Sequence, residues 1–365
     1  MRPTLLFLPN LNVGGAERSI AELARQLHAA GHPVILALGD ASGEFLNQLE
    51  PRPPVVDFGT SNTFRAIPAL RDLIRRENPV SVLGALDHAC VALLIATRLS
   101  GRRPKTVVSI RSTPSTQLAG PLPWKDRVIL ALSRQMFRRA DALHGVSQGV
   151  TQDAVAFYRV PAAKAITIPN PVITDAVLAA TARPPHHPWL IERPATTLVA
   201  AGRLTDLKDY PTLFRAIARV HASRPGVRLV IFGEGELRAS LTDLRTELGL
   251  RDVIDLPGFS ANVLGEMAAA RLFVLSSKTE GLPGVLIQAL AAGTPVVSTD
   301  CPSGPREILA DGRYGPLVPV GDDHALAEAI LAELSRPRQS PPPEAFRPYR
   351  ADVVLADYLR LLELA

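Results

Sequence analysis

The sequence predicts an α/β protein of two open, doubly wound, Rossmann-like domains in tandem, with parallel sheets facing a central cleft. Three observations carry this. The chain has 365 residues, more than one hydrophobic core of about 250 to 300 residues supports. Short apolar runs alternate with longer amphipathic ones, as buried strands alternate with covering helices. That rhythm pauses once, in a proline-rich stretch, and then resumes.

Thr4 to Leu8, Pro33 to Leu38, Val80 to Gly84, Lys105 to Ile110, Ala142 to Val146 and Ala165 to Ile168 read as the strands of the first domain. Ala16 to Ala30 reads as a helix, opening after Gly14-Gly15 and ending at Gly31, and Ala89 to Leu99 as another. Arg183-Pro184-Pro185-His186-His187-Pro188 lacks the backbone donors and freedom for either regular element. The expected domains are therefore 1–173, a linker at 174–194, a second domain at 195–340, and a tail at 341–365 that packs back on the first domain. In the second domain the strands read as Thr196 to Ala201, Val227 to Phe232, Val253 to Leu256, Leu272 to Leu275 and Pro295 to Ser298. Val353 to Leu364 reads as a terminal helix. In such sheets ligands sit at the carboxyl ends of the strands.

Composition narrows the class. With 47% hydrophobic and 21% charged residues the chain is neither disordered nor fibrous. The most apolar segment, Val82 to Leu99, is broken by Asp87, His88 and Arg98, which argues against a spanning helix. The N-terminal apolar run is too short for a signal peptide, so the expected location is the cytoplasm. Cys90 and Cys301 have no metal-type or disulfide-type spacing and read as buried thiols. Positive charge collects in the first half: between Arg98 and Arg139 ten basic residues face one acid, Asp126. That excess suits an anionic surface or ligand, and solvated helix faces explain it equally well.

Four constellations could carry chemistry. Gly14-Gly15-Ala16-Glu17-Arg18 opens the first helix, where free amides favour an anion, although a ligand-free turn accounts for it as readily. Arg203 and Lys208 follow the strand Thr196 to Ala201 and can converge on one diphosphate. Phe232-Gly233-Glu234-Gly235-Glu236-Leu237-Arg238 fails as a dinucleotide fingerprint, because Arg238 stands at the third glycine and Glu234 would repel a pyrophosphate. In the last constellation Glu280 precedes the turn Gly281-Leu282-Pro283-Gly284, with Pro283 expected at the first helical position, and the helix runs to Gly293 with Gln288 about two turns along.

These segments, with Val146-Ser147-Gln148-Gly149-Val150, Asn170-Pro171, Pro257-Gly258-Phe259 and Ala291 to Val297, resemble a GT-B glycosyltransferase of family 4 over nearly the whole chain. The resemblance implies a retaining transferase with an acceptor site in the first domain and a nucleotide-sugar site mainly in the second. By matching position, Arg203 and Lys208 would hold the diphosphate and Glu280 the sugar hydroxyls. The free amides of the turn Gly281, Leu282 and Pro283 would face the leaving phosphates. Pro257, Gly258 and Phe259 would lie near the base, and Gly14 and Gly15 would let the donor approach. The family usually carries a second glutamate where this sequence has Gln288, which keeps an acceptor oxygen for ribose but not the charge. His88 either faces the transferred sugar or caps a buried helix start.

The expected function is transfer of a sugar, most readily from a UDP-linked donor, to a hydroxyl of a glycan or lipid-linked acceptor. No cofactor is expected and no metal, because cations and helix amides supply the field and no Asp-x-Asp occurs. A non-hydrolysing UDP-sugar epimerase and an inactive nucleotide-sugar-binding protein are the alternatives. Nothing points to nucleic acid. Trp124 to Arg139, with Val128, Leu132 and Met136 on one face and Lys125, Arg127, Arg134, Arg138 and Arg139 around it, is either a core-facing helix or a contact with an anionic membrane surface.

Overall fold

The computed structural model describes residues 2–12, 14–47, 49–117, 123–192 and 194–364, and the side chains of Glu44, Asn47, Lys125 and Pro194 lie outside the described set. The chain forms two compact units, one of residues 1–171 with 351–365 and one of residues 172–350.

The first unit holds a seven-stranded sheet of β1 (Thr4–Leu8), β2 (Val34–Leu38), β3 (Val55–Asp57), β4 (Ser81–Ala85), β5 (Lys105–Ile110), β6 (Ala142–Gly145) and β7 (Ala165–Thr167). Every pairing is parallel and the order is β3-β2-β1-β4-β5-β6-β7. β1 is buried along its whole length, and its alternating side chains feed two cores. Leu6 and Leu8 pack with Ile20, Leu23 and Leu27 of the helix Gly15–Ala29, and with Val354, Tyr358 and Leu361 of the terminal helix Ala351–Leu361. Leu5 and Phe7 pack with Leu70, Leu73 and Ile74 of the helix Ile67–Glu77, and with Ala89, Leu93 and Ala96 of the helix Asp87–Ser100.

The second unit repeats the plan with six parallel strands: β8 (Thr197–Ala201), β9 (Arg228–Phe232), β10 (Ile254–Gly258), β11 (Leu272–Leu275), β12 (Val296–Thr299) and β13 (Leu317–Val318), in the order β10-β9-β8-β11-β12-β13. Leu198, Leu229, Ile231 and Ile254 meet Leu213, Phe214 and Ile217 of the helix Tyr210–Ser223 and Leu326 and Ile330 of the helix Asp323–Ser335. In each sheet the strand order reverses once, beside β1 and β4 in the first and beside β8 and β11 in the second, and such switch points open a crevice at the strands' carboxyl ends.

Three sequence expectations change. Residues 174–194 carry the helices Asp175–Thr181 and Pro188–Glu192 and cluster with the second unit. Thr174 caps the former by accepting from Val177 N at 3.1 Å, and buried Glu266 accepts the backbone N–H groups of His186 and His187. The proline run is thus docked by caps and a carboxylate, which its composition does not reveal. The chain rejoins the first unit at Ala351, ten residues after the expected start of the tail. The edge strands β3 and β13 were also not expected, because three and two residues are too few to show a pattern.

Candidate active site

A cluster of polar groups in the second unit lies at its switch point. After β8 the chain turns through Gly202 at φ +153°, a conformation that favours glycine, and a Cβ there would press on Lys208 Cε and the Tyr210 hydroxyl at 3.2 Å each. The neighbouring loop after β9 clamps this turn: Gly233 packs so closely that a Cβ would meet Gly202 O at 2.1 Å, and Leu204 N donates to Glu234 O at 2.9 Å. Lys208 is thereby laid toward the loop after β11, where its Nζ donates to Glu280 Oε1 at 2.5 Å. Ser277 Oγ donates to the same oxygen at 2.7 Å, and Ser276 Oγ donates to Lys208 O at 2.8 Å. Burial first, and then the charge of Glu280, push the Tyr210 hydroxyl above its ordinary range. Burial, with Glu280 again second, pushes the Cys301 thiol up to about 12, so Cys301 is an inert wall.

Directly beyond Glu280 the chain starts the helix Gly284–Ala291. Pro283 is its N-cap and not, as expected, its first helical residue, which is Gly284; the Pro283 carbonyl accepts from Leu286 and Ile287. Ser303 Oγ donates to Gly281 O at 3.0 Å and fixes the turn, while Leu282 is buried. The free amides at such a helix start carry partial positive charge. Arg203 is exposed, and its guanidinium has no hydrogen-bond or ion-pair partner among the described residues. Gln288 is 8% exposed, and its side-chain amide has no hydrogen-bond partner among the described residues.

Other expected residues take different roles. Glu234 does not stand free to repel an anion; it pairs with Arg238 at 2.6 Å, and Arg238 also donates to Leu256 O. Pro257 and Gly258 end β10, and Phe259 beyond them is 77% exposed. A benzyl group so exposed offers a free face for stacking. Among the described residues no three His, Cys, Asp or Glu side chains gather as a metal site would need.

In the first unit Gly14 caps the helix Gly15–Ala29 in extended conformation, and a Cβ on it would collide with the Glu17 carboxylate. Gly15 has open space where a Cβ would stand. At the end of β4, Leu86 takes φ +74°, a strained value for a branched side chain costing on the order of 1–3 kcal/mol. Asp87 and His88 then start the helix Asp87–Ser100. Burial lowers the His88 pKa against the pull of Asp87, and its ring has no hydrogen-bond partner among the described residues. The buried Tyr158 hydroxyl donates to Asp87 Oδ2. Nearby, Arg111 at the end of β5 donates to Asn170 Oδ1 at 2.5 Å and to Ser19 Oγ at 3.1 Å, which gives Asn170-Pro171 a structural anchor.

Sequence reasoning missed Ser277, Tyr210, Asp87, Tyr158 and Arg111 as members of these groups. Ser277 and Arg111 carried one usable signal, a polar residue just past a buried strand. Asp87 and Tyr158 are 71 positions apart, and nothing local ties them.

Two doubly wound parallel units, matched over their full length by solved transferase structures, define the GT-B class. The chain belongs to the glycosyltransferases: residues 13–176 match the family described as Glycosyltransferase Family 4, and residues 195–336 match the one described as Glycosyl transferases group 1. It is 27% identical over 338 residues to the N-acetylgalactosamine-N,N'-diacetylbacillosaminyl-diphospho-undecaprenol 4-alpha-N-acetylgalactosaminyltransferase of Campylobacter jejuni, covering 90% of this chain and 89% of that one. An uncharacterized glycosyltransferase of Methanocaldococcus jannaschii is 28% identical over 243 residues, 65% of this chain, and the match spans 59% of the archaeal protein. The crystal structure of Anabaena HepE in complex with UDP and glucose has a TM-score of 0.78 at 18% identity, covering 100% of both chains.

Proposed function

We propose that the protein is a retaining glycosyltransferase that moves a sugar from a UDP-linked donor to a hydroxyl of a glycan or lipid-linked acceptor. The observation that carries this is the Lys208–Glu280 pair just ahead of the helix Gly284–Ala291, with Arg203, exposed and without a partner among the described residues, in the same loop after β8 as Lys208. A diphosphate there meets Lys208 as a point charge, Arg203 as a fork and the helix amides as fixed dipoles. All three strengthen as negative charge grows on the departing nucleotide, and this is the differential stabilisation that speeds transfer. The same field replaces a metal ion in the proposed reaction. Glu280, held by Lys208 and Ser277, accepts from hydroxyls of the donor sugar, and Gln288 from ribose. Retention with no side-chain nucleophile implies attack on the face the nucleotide leaves, with the departing phosphate taking the acceptor's proton. The UDP complex of the Anabaena protein and the diphospho-undecaprenol in the Campylobacter protein's name support this choice of donor and acceptor.

The lipid-linked acceptor makes a membrane contact part of the proposal. In the helix Trp124–Phe137, Ser133 and Phe137 face the core, so that side is not free for lipid. Leu132 and Met136, on the face read as either core or lipid contact, are partly buried. Arg134 is occupied too, donating to Phe157 O at 3.2 Å with its guanidinium over the Phe157 ring. Exposed along this segment are Trp124 at 71%, Val128 at 49%, Arg127, Arg138 and Arg139, with Asp126, Ala131 and Gln135 among them, a mainly basic set with one large aromatic that suits an anionic interface. No described helix is long and apolar enough to cross a membrane.

The test is transfer itself, followed by mass spectrometry with UDP-sugars and polyprenyl-diphosphate-linked acceptors. An acceptor heavier by one sugar residue, formed by the wild type and strongly reduced in Glu280→Gln, supports the proposal. Donor epimerised without any acceptor supports the epimerase instead.

A further inference from the structure

We propose that Asp87 is a substrate-binding residue of the first unit, its Oδ1 accepting a hydrogen bond from an acceptor hydroxyl while the buried Tyr158 positions it through Oδ2. This rests on the glycosyl-transfer reading and adds a residue to it. Asp87 stands at the carboxyl end of β4, one of the two strands flanking the first unit's switch point. The residue before it, Leu86, is held at φ +74°, and strain of that kind persists where surrounding structure over-determines a position.

Tyr158 is 0% exposed at the end of the helix Gln148–Tyr158, and its ring meets Phe137 and Phe157 edge-on at centroid distances of 4.9 and 5.1 Å. Its hydroxyl is thus fixed, and it is spent on Asp87 Oδ2. A carboxylate offers about four lone-pair sites, and among the described residues only this one donor reaches Asp87. Asp87 as a residue is partly exposed, and its Oδ1 has no donor among the described residues. A carboxylate at a first helical position is stabilised by the helix dipole with no tyrosine needed. The tyrosine adds orientation, as groups behind a binding residue do.

The groups around Asp87 fix the direction of its titration. Burial raises its pKa, while the Tyr158 hydrogen bond and His88 lower it. Cys90 on the same helix is kept a neutral thiol by burial and by Asp87, with Arg111 just past β5 acting the other way, and Asp153 bears on Tyr158. Removing the Tyr158 hydroxyl therefore raises the Asp87 pKa.

The experiment uses the full chain with a UDP-sugar and a polyprenyl-diphosphate-linked sugar acceptor, at a series of pH values. We expect Asp87→Asn to raise the acceptor KM by about tenfold or more, the size of one hydrogen bond to a charged group, with UDP affinity unchanged and Asp87→Glu recovering part of the loss. Tyr158→Phe should move the acid limb of kcat/KM to higher pH, which a purely structural role would not do. An unchanged acceptor KM in Asp87→Asn, or an unmoved acid limb in Tyr158→Phe, overturns the assignment even though the wild type transfers sugar. A wild type that transfers nothing overturns the glycosyl-transfer reading instead, and this inference with it.

Discussion

Lys208 Nζ reaches Glu280 Oε1 at 2.5 Å across 72 residues of sequence, and so joins the loop after β8 to the loop after β11 at the strand reversal of the second sheet. Their side chains are 20% and 13% exposed, so the pair is largely shielded from water. Each charge satisfies the other here, and in the proposed reaction a donor would bring a diphosphate for the lysine and hydroxyls for the glutamate. Breaking a shielded pair leaves an uncompensated charge, so single substitutions act on both functions.

Arg203→Ala and Lys208→Ala should each lower sugar transfer by about 10²-fold, the usual loss of one preorganised stabiliser. Arg203→Ala removes an exposed side chain that has no partner among the described residues and should leave thermal stability unchanged. Near wild-type turnover by both variants, measured alongside melting curves, would remove the diphosphate assignment.

Gln288→Glu should tighten UDP binding by about 1 kcal/mol, roughly fivefold, as a neutral hydrogen bond to ribose becomes charge-assisted. Its amide is nearly buried and unpartnered among the described residues, so the new carboxylate lacks a protein donor and depends on the ligand. Isothermal titration decides, and weaker binding by the variant would mean that position 288 does not face ribose.

The exposed set at Trp124 should bring the protein down with anionic vesicles at low salt and release it at high salt, where screening is shorter than about 8 Å. Trp124→Ala with Arg127→Ala should weaken sedimentation, whereas Arg134→Ala should not, since Arg134 is held on Phe157. Failure of the wild type to sediment even at low salt counts against the membrane contact.

Stability should fall in mild acid because of His144. Its Nε2 lies 2.8 Å from Ile168 O, which can only accept, so Nδ1 accepts from Ser109 Oγ at 2.8 Å and the ring is neutral. Burial first, and Arg111 second, hold its pKa down to about 3 from 6.5. Between those values the unfolded chain binds a proton that the fold excludes. The contribution is therefore fully present above pH 6.5 and is lost as pH falls, by up to about 1.4 kcal/mol per unit. Urea midpoints at pH 7 and pH 5 should differ less in His144→Asn than in the wild type; equal falls would place the acid sensitivity elsewhere.

The buried strands were legible because parallel strands covered on both faces must be apolar throughout, as β1 and β4 are. Arg203, Lys208 and Glu280 were legible because each stands just past such a strand. What spacing does not encode is who meets whom. The Glu234–Arg238 pair turned an expected repulsion into a neutral clamp, and Pro188 begins a helix inside a stretch read as irregular. Asp87 with Tyr158, and Arg111 with Ser19 and Asn170, meet only when the sheet assembles.

A crystal structure of this protein with UDP tests the central claim most directly. We expect the diphosphate within hydrogen-bond distance of Lys208, of Arg203, and of at least one amide at the start of the helix Gly284–Ala291, with ribose at Gln288. A nucleotide bound with its phosphates away from Lys208 and that helix would contradict the proposed site.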